Sequence, residues 1–469
     1  MNTKSERLPP LSEELSGVEL GNRHLTKRFM KMLDAMGKKP SASFPEIFES
    51  EKELEGAYRF LRNPSVTWRK MLLPHYEQTL AQMKDHREVL IVHDTTDCVF
   101  GGFKRREGLG YINQHETTQG FFGHFALAVS AGEASLPLGM IGAELLSRPA
   151  KPSGKRLNCY QRHRDPKRES LRWVRLVKEV QQRVGDRAQP VHIMDREADI
   201  YELLDELTSN DQRFVIRLCH DRALRKGQQK TRISEALKNL PVICDKEIFV
   251  SFRGKSNRKK RKRGTHPPRE YRSAKLGYSA ITIEINRPFE TQPKYSKSIR
   301  LNVIQVEEIN PPSKEDKIQW RLLTTEPIEN EKQILKVVDF YRGRWMIEEF
   351  FKVLKTGCSY EKRQLESFWT LTNALGFFIP IAHRLLLLRH LSRSGNELPE
   401  NTVLTRTQRI ILKSLPNTNL PSQPSAQDVL MAIARLGGHI KNNGDPGWLV
   451  LWRGYQKLLD YEVGWNAKK

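Results

Sequence analysis

Tyr341, Arg344, Glu348 and Lys355 lie in one run of fifteen residues, from Tyr341 to Lys355. At about 100° per residue on a helix, these four side chains share an arc of roughly 60°. Met346, Ile347, Phe350 and Leu354 fall on the other side. The spacing predicts a single helix with a buried back and a stripe of one aromatic, two cations and one carboxylate. A carboxylate can hold a divalent metal, and cations on the neighbouring turns can clamp phosphates. An amphipathic helix with a solvated face, Arg344 and Glu348 being an i,i+4 pair, fits the same spacing. Two further carboxylates follow apolar runs. Asp94 comes after Val89 to His93, and Asp195 after Val191 to Met194. Each reads as the polar end of a strand. Either aspartate alone fits a turn or a helix cap equally well. Three carboxylates brought together repel one another unless cations neutralise them. Magnesium or manganese would do so, and two such ions about 4 Å apart suit phosphodiester displacement.

The elements that must position these groups can be read around them. Leu20 to about Leu73 predicts helices, with a capped turn near Ser43, Phe44 and Pro45. Within it, Glu55 to Pro64 sets cations, Arg59 and Arg62, beside aromatics. Strands are predicted at Val89–His93, Phe121–Val129, Leu136–Ile141, Val191–Met194 and Arg213–Leu218, with a helix over Arg168–Val184. That order predicts an α/β layer. From about 220 to 325 the period changes to two, as at Ile281, Ile283 and Ile285, which predicts a β-rich insertion. It contains six consecutive cations, Arg258 to Arg263, suited to phosphates or to a solvated loop. Helical periodicity resumes at Lys332 and again over the last hundred residues, around a polar loop at Leu415 to Gln427.

The charge is the strongest bulk signal. The 469 residues carry a net charge of +24, which points to a polyanionic partner such as nucleic acid. Five scattered cysteines without CxxC spacing argue for a reducing compartment and against structural zinc. The N-terminus lacks an apolar signal core, and the apolar stretch Ala374 to Leu388 is broken by Pro380, His383 and Arg384. No membrane partner is expected, and the expected location is cytoplasmic.

Asp94-Thr95-Thr96, Asp195 to Ile200, and the set Tyr341, Arg344, Glu348 and Lys355 resemble the DDE transposases of bacterial insertion sequences. Gly56 to Pro64, Arg213 to Arg217, Glu307 to Pro312 and Met431 to Gly438 extend the resemblance along the chain. It is looser before Leu54, from Phe100 to Asn158 and near Leu415. The resemblance implies a ribonuclease-H-like mixed sheet flanked by helices, with Asp94, Asp195 and Glu348 as catalytic residues and metal ligands. It implies two Mg2+ ions, with Mn2+ as substitute. It implies a helical end-binding domain at 1–72 and a catalytic domain at 73–372 that holds the insertion at about 220–325. A helical dimerisation domain would occupy 373–469. The activity implied is nicking at transposon ends, hairpin formation and joining of the 3′-hydroxyl to target DNA. Tyr341, Arg344, Lys355, Arg217, Arg59 and Arg62 would contact DNA, Trp320 would stack on an unpaired base, and Trp345 would add an apolar wall. The implied partners are transposon-end duplex DNA, target DNA and a second copy of the chain. In a bacterial cytoplasm the bound protein would sit at the nucleoid. A nuclease that stops at hydrolysis and a non-enzymatic DNA-binding relative stay open as readings.

Overall fold

Capping residues and apolar periodicity place most elements where the sequence predicts them. The computed structural model describes residues 11–102, 104–112, 118–132, 135–148, 158–226, 229–250, 270–312, 317–391, 404–416, 418, 420–440 and 446–467. In chain order come α1 (Leu11–Glu14), α2 (Arg23–Lys38), α3 (Phe44–Ile47), α4 (Glu51–Arg62) and α5 (Trp68–Met83). Then follow β1 (Val89–Phe100), β2 (Gly110–Tyr111), β3 (Gln119–Ser130), β4 (Pro137–Leu146), α6 (Cys159–Arg164) and α7 (Arg172–Val184). Next are β5 (Val191–Met194), α8 (Tyr201–Ser209), β6 (Arg213–Arg217), β7 (Ala223–Lys226), β8 (Gln229–Arg232) and α9 (Ile233–Leu237). After them run β9 (Cys244–Val250), β10 (Arg272–Asn286), β11 (Ser298–Glu308), β12 (Gln319–Thr324), α10 (Glu331–Arg342) and α11 (Trp345–Lys352). The chain ends with α12 (Phe368–Leu391), α13 (Arg406–Ser414), α14 (Ala426–Leu436) and α15 (Trp448–Asn466). The strands are mostly antiparallel and helices flank them, a mixed α/β architecture.

The chain divides into two compact units. The first comprises Met1–Gly154, Lys178–Ala188 and Trp345–Lys469, and the second Lys155–Val177 and Gln189–Arg344. In the first, β1 pairs antiparallel with β3, and β3 with β2 and β4. The β1 strand does not stop at Asp94. Asp94 sits mid-strand opposite Phe125, because the β-compatible residues Thr95, Thr96, Val99 and Phe100 prolong the ladder. The N-terminal helices are fastened to α12 by Phe29, Phe60 and Phe377, with Phe29 and Phe377 centroids 4.9 Å apart. Ser43 and Glu46 form the expected capping box at α3. The α12 helix is long and apolar enough to cross a membrane by length and composition, yet 94% of its most apolar window is buried in the protein. That burial makes it a core helix. Leu430, Ile433, Leu451, Trp452 and Leu458 are also buried here.

In the second unit β5 and β6 are parallel, and β12, β11 and β10 continue the sheet antiparallel from β6. The β-rich stretch is thus continuous with the sheet rather than a separate module. Ile283 and Ile285 join Leu203, Leu204 and Leu207 of α8 and Ile233 and Leu237 of α9 in one buried cluster. The six-cation run Arg258 to Arg263 lies outside the described residues.

Candidate active site and DNA interface

The run from Tyr341 to Lys355 is not one helix. α10 ends at Arg342, and the Gly343 N–H is shared among the carbonyls of Asp339, Phe340 and Tyr341. The helix closes tightly there, and α11 restarts at Trp345. Past Lys352 the chain widens into a π-turn, Val353–Gly357, which carries Lys355. The predicted stripe is therefore distributed over two helices, the turn between them and the π-turn.

In the second unit, Tyr341 is a hub. Its ring is buried, at 8% exposure, and α10 lies against β5 and β6. The phenol shares a hydrogen bond with the Arg217 side chain at the end of β6, and the charges of Arg344, Arg217 and Asp195 all act on it. Burial raises its pKa, the two arginines oppose that rise and Asp195 adds to it. Tyr341 is therefore a neutral donor at ordinary pH. Asp195 follows β5 directly, where its carboxylate accepts the Glu197 N–H at 2.8 Å and caps a short 3-10 turn. The cap and the candidate ligand are the same residue. Trp320 lies half-buried on β12 opposite Val306, in the strand that pairs with β6 at Arg217.

In the first unit, packing holds α11 on β1 at the level of Asp94. Phe125, the cross-strand partner of Asp94, meets Phe350 and Phe351 at 6.2 and 5.9 Å. Both phenylalanines follow Glu348 by less than one turn. Asp94 accepts the Thr95 N–H at 2.7 Å, and the Thr95 hydroxyl meets His124 Nδ1 at 2.9 Å. Lys355 binds Asp97 at 2.8 Å and lies 3.5 Å from Glu361. Burial works against its charge, but the Asp97 hydrogen bond and both carboxylates raise its pKa above the usual lysine value. Glu349 is committed to Lys352 and Arg389, at 2.5 and 2.6 Å. Trp345 is 60% exposed.

Farther along this unit, α2 and α4 enclose an open groove of about 490 Å³ lined by His24, Lys27, Arg28, Lys31, Gly56 and Arg59, among others. Gly56 leaves room for Arg28, whose guanidinium would stand 2.9 Å from an added β-carbon. Arg59 lies near Glu55 at 3.9 Å, and Arg62 pairs with Glu366 at 3.5 Å.

Asp94, Asp195 and Glu348 are each partly buried, and their oxygens are the donor type that magnesium and manganese prefer. Among the described residues, however, no three His, Cys, Asp or Glu side chains are gathered closely enough to hold one.

Residues 11–66 match the family model "Transposase DNA-binding", and residues 169–379 match "Transposase DDE domain". The chain carries the DNA-binding and DDE domains of a transposase. The DDE domain implies a DNA-cutting and DNA-transferring enzyme, and such domains generally use divalent metal ions. The cationic groove lies wholly inside the DNA-binding match. Asp195, Arg217, Trp320, Tyr341, Arg344, Glu348 and Lys355 lie inside the DDE match, and Asp94 lies ahead of it. Among solved structures, a piggyBac transposase synaptic complex with hairpin DNA is similar at 13% identity and a TM-score of 0.34, over 81% of this chain and 69% of that chain. A likeness that loose transfers no mechanism.

The sequence reading passed over Lys27, Arg28 and Lys31, although their spacing puts them on neighbouring turns of a helix. It also passed over Asp199 and Arg222, a buried pair 2.5 Å apart whose pairing only the fold reveals.

Proposed function

We propose that this transposase is of the bacterial insertion-sequence type, with its finer resemblance to the transposase of transposon Tn-five. Its catalytic core is ribonuclease-H-like, flanked by an end-binding domain at 1–72 and a C-terminal helical domain at 373–469. Asp94, Asp195 and Glu348 would hold two magnesium ions, which supply charge neutralisation at the phosphate and an activated oxygen. The observation that carries the reading is the Tyr341 hub. A buried phenol is held by Arg217, with Arg344 and Asp195 acting on it, at the end of β5. A phosphate beside Asp195 would find two guanidiniums and a neutral phenol in its neighbourhood.

Four displacements follow, each exchanging one P–O bond for another. Water attacks the phosphorus at the transposon end and leaves a 3′-hydroxyl. That hydroxyl attacks the opposite strand, closes a hairpin and releases the flanking DNA. A second water opens the hairpin, and the 3′-hydroxyl then attacks target DNA. Arg217, Arg344 and Tyr341 orient the phosphate, and Lys355, now paired with Asp97, can exchange that carboxylate for a phosphate. Trp320 would stack on the base displaced by the hairpin, with Trp345 as an apolar wall. Arg59 and Arg62 contact the end duplex. The working species is a homodimer holding two ends, in the cytoplasm. The dimer contact is assigned to the exposed end of α15 within that domain, at Tyr461, Val463 and Trp465.

The test uses duplexes built from the inverted repeats that flank the gene, with magnesium and the full chain. Nicked, hairpin and strand-transfer products are expected in that order. Nicks without hairpin or transfer would make the protein a hydrolytic nuclease, and end binding without cleavage would make it a DNA-binding relative.

A further inference from the structure

We propose that the surface shared by α6 and the loop of residues 287–297 is a second DNA-binding surface, a platform on which an unpaired base stacks. Phe289 is 87% exposed, the most exposed large apolar side chain described, and Tyr160 is 39% exposed. Their ring centroids are 6.4 Å apart, and the Arg164 guanidinium lies 3.9 Å from the Tyr160 centroid. Two aromatic faces and a planar cation therefore stand side by side on the surface. Such a group can accept a base by stacking and a phosphate by charge.

The platform is built rather than accidental. Gln292 donates to the Arg164 carbonyl at 3.3 Å, which ties the loop to α6. Arg287 donates to the Pro293 and Tyr295 carbonyls and closes the loop on itself. Its surroundings are cationic. Residues 158–168 carry Arg162, Arg164, Lys167 and Arg168 against Asp165, with Arg168 paired to Glu202 at 2.6 Å, and the loop adds Arg287, Lys294 and Lys297 against Glu290. An apolar protein partner would be poorly served by that charge, whereas a nucleic-acid strand is complemented by it.

The position also suits DNA that is being cut. Tyr201 donates to the Ser296 carbonyl, and the Ser296 N–H reaches Asp205, both at 2.9 Å, so the loop rests on α8. The turn that begins at Asp195 leads directly into α8. Bases near a strand under attack must leave the stack, and this surface stands one helix away from that turn. It is distinct from Trp320, which lies on β12.

The inference rests on the transposase reading, and its test separates the two. Fluorescence anisotropy would compare a labelled duplex bearing a short central bubble with the same duplex fully paired, using the full chain. Phe289→Ala with Tyr160→Leu should weaken bubble binding about tenfold, the worth of one base stack, and paired-duplex binding by no more than about twofold. Tyr160→Phe should bind the bubble like the unaltered chain. Arg162→Gln with Lys167→Gln should weaken both probes and reduce the salt slope by about 2. If the double aromatic variant melts early, Phe289→Ala alone carries the test, because its side chain is exposed. Equal loss on both probes, or no loss on the bubble, overturns the platform. Failure of the unaltered chain to nick end duplexes would instead overturn the transposase reading and leave the bubble comparison standing.

Discussion

Asp199→Ala should cost more stability than any loop substitution of its size. Asp199 has no exposed surface. Its carboxylate accepts the N–H groups of Cys219 and His220 at 2.7 and 2.8 Å and the Arg222 guanidinium at 2.5 Å. Arg222 also donates to the Asp199 carbonyl at 2.7 Å, and it is only 8% exposed. Removing the carboxylate leaves a buried cation unpaired, a loss of about 3–5 kcal/mol. The two stranded amides would add about 1–3 kcal/mol each if they stayed buried, so the segment should open to water instead. The expected total is about 3–5 kcal/mol, a large share of the roughly 5–15 kcal/mol that typical domains possess. The segment released begins at Cys219, two residues after Arg217, so the Tyr341 hub loosens with it. Asp199→Asn keeps acceptors for both amides and loses the charge, so its cost should be intermediate. Urea unfolding measures the cost, and hydrogen exchange at Cys219 and His220 locates it. A loss below about 1 kcal/mol with both amides still protected would refute the argument.

Other perturbations test other links. Gly56→Ala places a β-carbon against Arg28, so end-duplex binding should fall on the order of fivefold with little change in melting temperature. Unchanged anisotropy would remove Arg28 from the interface. Burial lowers His383 and His192 from 6.5 to about 4, so both stay neutral in the fold while the unfolded chain takes up protons below pH 6.5. In Glu14, burial opposes ionisation, but His75 and Arg384 hold the carboxyl well below its usual range. Its contribution is present above the unfolded carboxylate value and is lost as pH falls. Both effects have the same sign, so the urea midpoint should decline from pH 6.5 toward 4, and His383→Gln should flatten the decline. A midpoint independent of pH from 6.5 to 4 would contradict the histidine effect, and one that did not fall further below pH 4.5 would contradict the Glu14 effect. Trp320→Ala should slow hairpin closure roughly ten- to a hundredfold and spare the first nick. Equal slowing of both steps in a time course would make Trp320 structural.

Strong periodicity made much of the fold legible. The β5 strand, the Arg168–Val184 helix and the Ile281–Ile285 alternation could be read because burial on one face repeats in the sequence. The Ser43 turn could be read because capping chemistry is local. The end of β1 could not, because Asp94, Thr95 and Thr96 look like a turn until β3 supplies a partner along the whole strand. The break at Gly343 was hidden by apolar residues that keep helical spacing on both sides of it. Of the site, the residue types near Asp195 were legible, but Arg217 and Tyr341 meet only because β6 and α10 pack together. The commitment of Glu349 to Arg389 depends on a helix forty residues away in sequence, which no local pattern announces.

In the proposed function Asp94, Asp195 and Glu348 do the chemistry together while cations do the binding. The direct measurement is magnesium-dependent nicking of an end duplex by Asp94→Asn, Asp195→Asn, Glu348→Gln and the control Glu349→Gln, with binding followed on the same samples. Each of the first three should bind within about twofold of the unaltered chain and nick negligibly, whereas Glu349→Gln should still nick. Substantial nicking by any of the first three would contradict the claim.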